Sequence, residues 1–169
     1  MTEKEIIKIG VISDTHIKYG GNNLPTTVYK IFEDVNLIVH CGDLLIHDVI
    51  EDLEQIAPVV AVAGNMDNYN LKQILKTTKV IEISGKKIGI THGNTRGENA
   101  WRSAYMNFEK TKLDCLIFGH THAPLVKEVD GMLIVNPGSA MDKRFERHHT
   151  VAIIEIENEK LHASIINLD

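Results

Sequence analysis

Short apolar runs that stop abruptly at polar residues constrain this chain more than any other feature. Ile6 to Ile12 ends at Ser13-Asp14-Thr15-His16, and Leu37 to Val39 is followed by Cys41-Gly42-Asp43. Val59 to Ala63 is followed by Gly64-Asn65, Ile88 to Ile90 by Thr91-His92-Gly93, and Leu113 to Phe118 by Gly119-His120-Thr121-His122. Runs of this length, rich in β-branched residues and bounded by glycine, read as buried strands. In open α/β sheets the ligand crevice lies beyond the carboxyl ends of the strands. Asp14, His16, Asp43, Asn65, His92, His120 and His122 are therefore expected to converge along one edge, where chance would scatter them.

Between the strands the period changes. Ile46, Val49, Ile50, Leu53 and Ile56 recur at the three-four spacing of a helix buried on one face, joining the Asp43 strand to the Asn65 strand. Leu24 to Phe32, with Pro25 at a first-turn position, Leu71 to Lys76 and Asn99 to Lys110 read as further helices. Strand, helix, strand order implies parallel pairing. The second half carries hairpin signatures instead: Val80 to Ile90 over Ser84-Gly85, Val126 to Val135 over Asp130-Gly131, and Val151 to Ile166 over Glu157-Asn158-Glu159. The pattern predicts an α/β fold of two mixed β-sheets flanked by helices. No internal repeat, low-complexity tract or linker interrupts it, so one domain is expected over residues 1–169.

At 169 residues with 43% hydrophobic side chains, the chain can bury a core without disulfides or lipid. No apolar stretch approaches the ~20 residues of a membrane span, and Met1 to Lys8 has acidic residues and no apolar signal core. A cytoplasmic protein with no membrane partner is expected. Cys41 and Cys115 lie at or inside apolar runs and read as small buried hydrophobes rather than a disulfide pair. The formal net charge of -5 argues against broad nucleic-acid coating but allows a small phosphorylated substrate.

Asp14 and His16 stand two apart just beyond a strand, so in extended geometry both would face one cation; His120 and His122 repeat the spacing. Carboxylate, imidazole and amide oxygen suit Mn, Fe, Zn, Ni or Co better than Ca or Mg, and the lack of thiolate speaks against a structural zinc. Seven ligands exceed one tetrahedral ion and suit two ions with a bridging carboxylate, for which Asp43 is the natural choice because no His neighbours it in sequence. Such a pair, ~3.5 to 4 Å apart, lowers the pKa of a shared water and clamps a phosphate during in-line displacement. Each residue alone has a bland reading: an Asp-x-His pair occurs by chance, a strand-end His is often structural, and Asn65 after Gly64 serves equally as a turn residue. The ensemble favours a hydrolytic centre.

The motifs resemble those of the calcineurin-like metallophosphoesterases, in particular their small YfcE-like phosphodiesterase branch. The resemblance runs from Gly10 to Ser139, through Asp14-x-His16, Gly42-Asp43, Gly64-Asn65-x-Asp67, His92-Gly93, Gly119-His120-Thr121-His122 and Asn136-Pro137-Gly138-Ser139. It implies a four-layer α/β/β/α sandwich, with Asp14, His16, Asp43 and His122 on the first metal and Asp43, Asn65, His92 and His120 on the second. Asp43, Asn65 and His92 would carry catalysis, manganese being the first choice of metal, with nickel, iron, cobalt or zinc as alternatives. It also implies a homo-oligomer, dimer or tetramer. Many superfamily members place a His after the ligand Asn, where this chain has Met66, which cannot donate a proton. Asp67 could compensate if it reaches the site; otherwise it reads as a turn or helix-start residue.

Lys143, Arg144, Arg147, His148 and His149 form a basic run that normally marks a solvated face, yet Arg144 or Arg147 could pair with a substrate phosphate through a guanidinium fork. His40, His47 and His162 have no ligand-like neighbours and read as structural, with His40 able to support Asp43 from behind. Trp101, Tyr105 and Phe108 read as the core face of a helix. The expected activity is that of a two-metal phosphodiesterase in which a metal-bound hydroxide attacks phosphorus directly. The alternatives are a phosphomonoesterase, nucleotide pyrophosphohydrolase or nuclease, nucleic acid entering only as substrate, and a non-catalytic interaction module like the retromer subunit that shares the fold.

Overall fold

Alternate residues of the central strands face two different cores, and that alternation sets the architecture. The computed structural model describes residues 5–169; the first four residues of the start read at Met1 to Lys8 lie outside the described residues. In chain order the elements are β1 (Ile7–Ile12), α1 (Thr26–Ile31), β2 (Leu37–His40), α2 (Asp48–Glu54), β3 (Val59–Ala61), α3 (Tyr69–Ile74), β4 (Thr78–Ile83) and β5 (Lys86–Thr91). Then follow α4 (Ala100–Tyr105), a 3-10 turn (Met106–Phe108), β6 (Cys115–Ile117), β7 (Leu125–Val129), β8 (Met132–Asn136), β9 (Thr150–Glu157) and β10 (Lys160–Asn167).

Two five-stranded sheets result, ordered β10-β9-β1-β2-β3 and β4-β5-β6-β8-β7. The β1-β2-β3 strands are mutually parallel, as are β5-β6-β8, while β9, β10, β4 and β7 pair antiparallel beside them. Ile9, Val11, Val39 and Ile154 of the first sheet pack on Ile88, Ile90, Ile117 and Val135 of the second. On the far side of the first sheet, Ile12 and Ile38 pack with Val28, Phe32, Val49, Ile50 and Leu53. On the far side of the second, Leu116 and Ile134 meet Ala100, Trp101, Ala104 and Phe108. Each fully buried aliphatic of this kind contributes about 1.5–3 kcal/mol. The expected helix, sheet, sheet, helix layering is thus observed.

The first, second and fourth helices are shorter than the sequence pattern predicted, because their apolar periodicity continues into flanking turns, while α3 keeps its expected length and is shifted by two residues. Pro25 stands outside α1 with ψ 138, and its carbonyl accepts the Val28 N–H at 2.9 Å. Ile46 and Ile56 pack on the core from beyond the ends of α2. α3 begins two residues before Leu71 because the Asn68 side chain accepts the Leu71 N–H at 2.9 Å, an N-cap that apolar spacing does not register. α4 gives way to the 3-10 turn at Met106 rather than continuing to Lys110. Ser84-Gly85, Asp130-Gly131 and Asn158-Glu159 each hold two successive positive φ angles, the type I′ geometry of two-residue hairpins. Glu157, read as part of the last turn, is the final residue of β9.

Gly10 is a point of close approach. A Cβ there would lie 2.9 Å from two ring carbons of Phe32, which is fully buried under β1. Gly10→Ala should lower stability by about 1–3 kcal/mol through overpacking. Denaturant midpoints should show part of the loss recovered in Gly10→Ala/Phe32→Leu; strictly additive losses would contradict the contact.

Candidate metal centre

Six segments that follow the carboxyl ends of the parallel strands meet at one end of the two sheets. Asp14 and His16 follow β1, Asp43 follows β2, Asn65 lies beyond β3, His92 follows β5, His120 and His122 lie beyond β6, and Asn136 closes β8. The antiparallel strands supply none of the seven candidate side chains.

The backbone beyond β1 is not extended, contrary to the sequence reading. Asp14, His16, Asp43, His120 and His122 hold φ of 53, 48, 58, 68 and 62°. Left-handed non-glycine residues cost of order 1–3 kcal/mol and persist where surrounding bonds over-determine them. Here Asp14 N–H donates to the Gly42 carbonyl and His16 N–H to the Asp43 carbonyl, both at 3.0 Å, so the two loops hold each other. Side chains two apart still converge, by paired turns instead of strand alternation.

Asp14 and Asp43 are buried carboxylates, 0% and 2% exposed. Asp14 Oδ1 lies 3.7 Å from His16 Nε2, 3.2 Å from His122 Nε2 and 3.8 Å from His92 Nε2. Asp43 Oδ2 lies 3.6 Å from His16 Nε2 and 3.2 Å from His92 Nε2. Asn65 Oδ1 stands 3.0 Å from His92 Nε2 and 3.2 Å from His120 Nδ1. All seven candidates are brought together. Asp14 Oδ1, His16 Nε2 and His122 Nε2 are buried without a hydrogen-bond partner, and their lone pairs face one another. That is the arrangement a cation would complete, and the Asp14-His16-His122 and Asp14-Asp43-His92 groups each have their ligand atoms within 4.8 Å.

Burial pushes the Asp14 and Asp43 carboxyls up, but the His122 and His16 imidazoles beside Asp14, and the His92 imidazole beside Asp43, pull both below the ordinary range. Burial pushes His92 and His122 down, and the Asp43 and Asp14 carboxylates overcome it and raise them. The field between these groups favours positive charge. His120, more open, is lowered by burial and by His92.

The atoms turned away from the centre are fixed by the chain. His92 Nδ1 donates to the Cys41 carbonyl at 2.7 Å and His122 Nδ1 to the Asp142 carbonyl, leaving Nε2 of each toward the carboxylates. Asp14 Oδ2 accepts from Ser13 Oγ at 2.6 Å and from His120 N–H at 3.0 Å, and Asp43 Oδ1 accepts Met66 N–H at 2.8 Å. Buried His40, lowered to about 3 by burial, accepts Gly42 N–H at Nδ1 and donates from Nε2 to Thr15 Oγ1. It braces the Asp43 and Asp14 loops, as the sequence allowed. Gly64 and Gly119 are required by space: a Cβ would fall 2.1 Å from Asp43 Oδ1 at the first and 2.1 Å from Ser13 Oγ at the second.

Asp67 does not reach the centre. Its Oδ2 accepts from Asp43 N at 2.9 Å and Gly64 N at 2.7 Å, and Oδ1 from Leu45 N at 2.8 Å, so it clamps the two loops and the turn reading holds. Sequence reasoning quoted Asn136 and Ser139 without assigning them a task. Asn136 Nδ2 donates to the Gly119 carbonyl and Thr121 Oγ1, both at 3.0 Å, while Ser139 Oγ donates to the Asp14 carbonyl at 2.8 Å. The available signal was again a polar residue closing an apolar strand run.

Arg144 Nε lies 3.7 Å from Asp142 Oδ2, beside the carbonyl that anchors His122. Arg147 is exposed, and among the described residues its guanidinium makes no hydrogen bond or ion pair. His149 and His148 instead reach Asp169, at 2.7 and 3.4 Å. Cys41 and Cys115 are buried free thiols in the inter-sheet core, both raised by burial. Trp101 and Phe108 are buried against the second sheet, with Tyr105 half-buried beside them. Among the described residues no helix is long and apolar enough to cross a membrane.

The calcineurin-like phosphoesterase superfamily domain matches residues 7–159. A probable metallophosphoesterase of Methanothermobacter thermautotrophicus is 40% identical, the alignment covering 94% of this chain and 91% of that protein. A phosphodiesterase of Methanocaldococcus jannaschii is 32% identical over 78% of this chain and 83% of its own length. The structure of vacuolar protein sorting 29 from Cryptosporidium parvum superimposes with a TM-score of 0.76 at 21% identity, covering 95% of this chain and 97% of that one, a likeness of fold.

Asp67→Asn would set an amide N–H2 against backbone N–H donors without removing a candidate ligand. Calorimetric manganese titration should show affinity reduced about 10–100-fold in a variant that keeps its circular dichroism. Unchanged affinity would show that the clamp does not position Asp43.

Proposed function

We infer the activity from a premise that the match over residues 7–159 supplies: this chain belongs to the calcineurin-like phosphoesterase superfamily. The reading supported best is a metal-dependent phosphoric ester hydrolase that prefers phosphodiesters and uses two divalent transition-metal ions, manganese foremost. The observation that carries it is the placement of Asp43, whose Oδ2 stands between His16 Nε2 at 3.6 Å and His92 Nε2 at 3.2 Å, where one carboxylate can serve two ions. Asp14, His16, Asp43 and His122 would hold one, and Asp43, Asn65, His92 and His120 the other. When bound, such a pair supplies a nucleophilic water at neutral pH and neutralises charge on the phosphate oxygens.

The chain's own contribution is positioning. The anchored Nδ1 atoms fix the rings of His92 and His122, and Met66 N–H fixes one oxygen of Asp43. Leaving-group protonation has no donor at Met66, and Asp67 is already occupied by three backbone N–H groups. Esters of acidic alcohols, which leave without a proton, are therefore favoured. Diester preference is supported by the similarity to the M. jannaschii phosphodiesterase. The shared fold of vacuolar protein sorting 29 is compatible with an interaction module, but the convergence of all seven candidate ligands weighs for the enzyme.

Chelator-stripped protein with Mn, Ni, Zn, Co or Mg restored should cleave bis-p-nitrophenyl phosphate in preference to p-nitrophenyl phosphate. Asn65→Ala should reduce turnover by about 10²-fold or more. Preference for the monoester would replace the diesterase reading with a phosphatase, and a folded, metal-loaded protein inert toward both would favour the interaction module.

A further inference from the structure

Three loops that build the candidate centre also wall a cavity of about 640 Å³ on the α4 side of the second sheet. The loop after β5 carries His92 and then Arg96 and Glu98, and the loop after β6 sets Thr121 between His120 and His122. The loop after β8 carries Asp142, whose carbonyl holds His122 Nδ1, and then Phe145. Trp101 of α4, Phe118 and Leu125 form the rest of the wall that concerns us. Arg96 is near enough to the centre for its charge to act there: burial and His92 lower His120, and Arg96 adds to them.

The wall is chiefly apolar, with three aromatic rings, and its one hydroxyl is already bonded, since Thr121 Oγ1 accepts from Asn136 Nδ2 at 3.0 Å and from Ala123 N–H at 3.2 Å. Its charged residues are Arg96, Lys127 and Glu98, two cations to one carboxylate in a chain of net charge -5. Among the described residues none of the three forms an ion pair. Phe145 is 98% exposed, while Trp101 and Phe118 are buried. Its turn is tied: Glu146 N–H donates to the Lys143 carbonyl at 2.9 Å, Lys143 Nζ donates to the Arg147 carbonyl at 3.0 Å, and Arg144 holds φ 50. A lone phenylalanine in water needs no explanation. One held by a fixed turn at a cavity that Trp101 and Phe118 also line is a different case, because a flat group entering there would bury its open face. The volume lies in the range of small-molecule sites, about 300–1,000 Å³.

Resting on the phosphodiesterase reading above, we propose that this cavity seats an aromatic ring carried by one alcohol of the substrate, between Phe145 and the wall of Trp101 and Phe118, while the phosphate lies at the candidate centre. Ring against ring adds to area burial an attraction that an aliphatic group of equal size lacks. Arg96 and Lys127 favour an anion that brings such a ring. A nucleobase and a simple aryl group share this chemistry.

Calorimetry on manganese-loaded protein should show benzylphosphonate bound about fivefold tighter than cyclohexylmethylphosphonate, and Phe145→Ser should bring the two within about twofold while Phe145→Tyr keeps the preference. Neither ligand has an ester bond to hydrolyse, and the exposure of Phe145 leaves the core intact in both variants. p-Nitrobenzylphosphonate should quench the fluorescence of Trp101, the chain's one tryptophan, in a saturable way. Arg96→Gln/Lys127→Gln should weaken that binding by about threefold or more. Adenosine 5′-phosphate bound more tightly than ribose 5-phosphate, through Phe145, identifies the ring as a nucleobase; a preference confined to the benzyl pair identifies it as aryl. Equal affinities within both pairs, an unquenched Trp101, or a dimer that Phe145→Ser dissociates without changing ligand preference overturns the proposal and leaves the diesterase intact. Aromatic preference in a protein that cleaves no diester with any metal removes the diesterase reading instead, and with it the assignment of the ring to an ester arm.

Discussion

Two carboxylates held out of water in one small space govern the rest of this molecule. Asp14 and Asp43 are almost wholly buried, and each raises the other's cost of ionisation. Removing such a pair from water costs several kcal/mol per charge unless positive charge lies beside it. The fold supplies that compensation from both sheets, with His16 beside the β1 end of the first and His92 and His122 beyond β5 and β6 of the second. Burial, charge and ligation are here one constraint.

That constraint explains the attention the backbone receives near the site. Five of the seven candidate side chains stand on left-handed residues, and the loops that carry them are tied by Asp67, Asn136, Ser139 and His40 through hydrogen bonds to main-chain groups. The strain is local and the bracing is distributed across both sheets. A change in any brace would therefore displace a candidate ligand rather than remove one.

Much of this was legible from the sequence. Apolar runs of β-branched residues broken by Gly and a polar ligand type report parallel strands and their carboxyl ends together, and each such run became a parallel strand. What the pattern could not convey is the path of the chain after the strand stops. Asp14 and His16 converge through positive φ and cross-loop hydrogen bonds, which depend on contacts with residues 42 to 44 far along the chain. Asp67 resembled a turn residue and is one, but its three long-range N–H partners are invisible to local spacing. Helix ends were misplaced where capping by Asn68 or Pro25, not periodicity, decided them. The basic run from Lys143 to His149 resolved into two separate sets of contacts, one at Asp142 and one at Asp169, because charge composition carries no information about which carboxylate folds back to meet it.

On the proposed reading, Asp43 joins two cation positions, one on the Asp14-His16-His122 side and one on the Asn65-His92-His120 side. Anomalous diffraction from a manganese-loaded crystal, collected at the manganese edge, tests it directly. Two peaks within about 4 Å of each other, with an Asp43 oxygen between them, are expected. A single peak, or a second one away from Asn65 and His120, would contradict it.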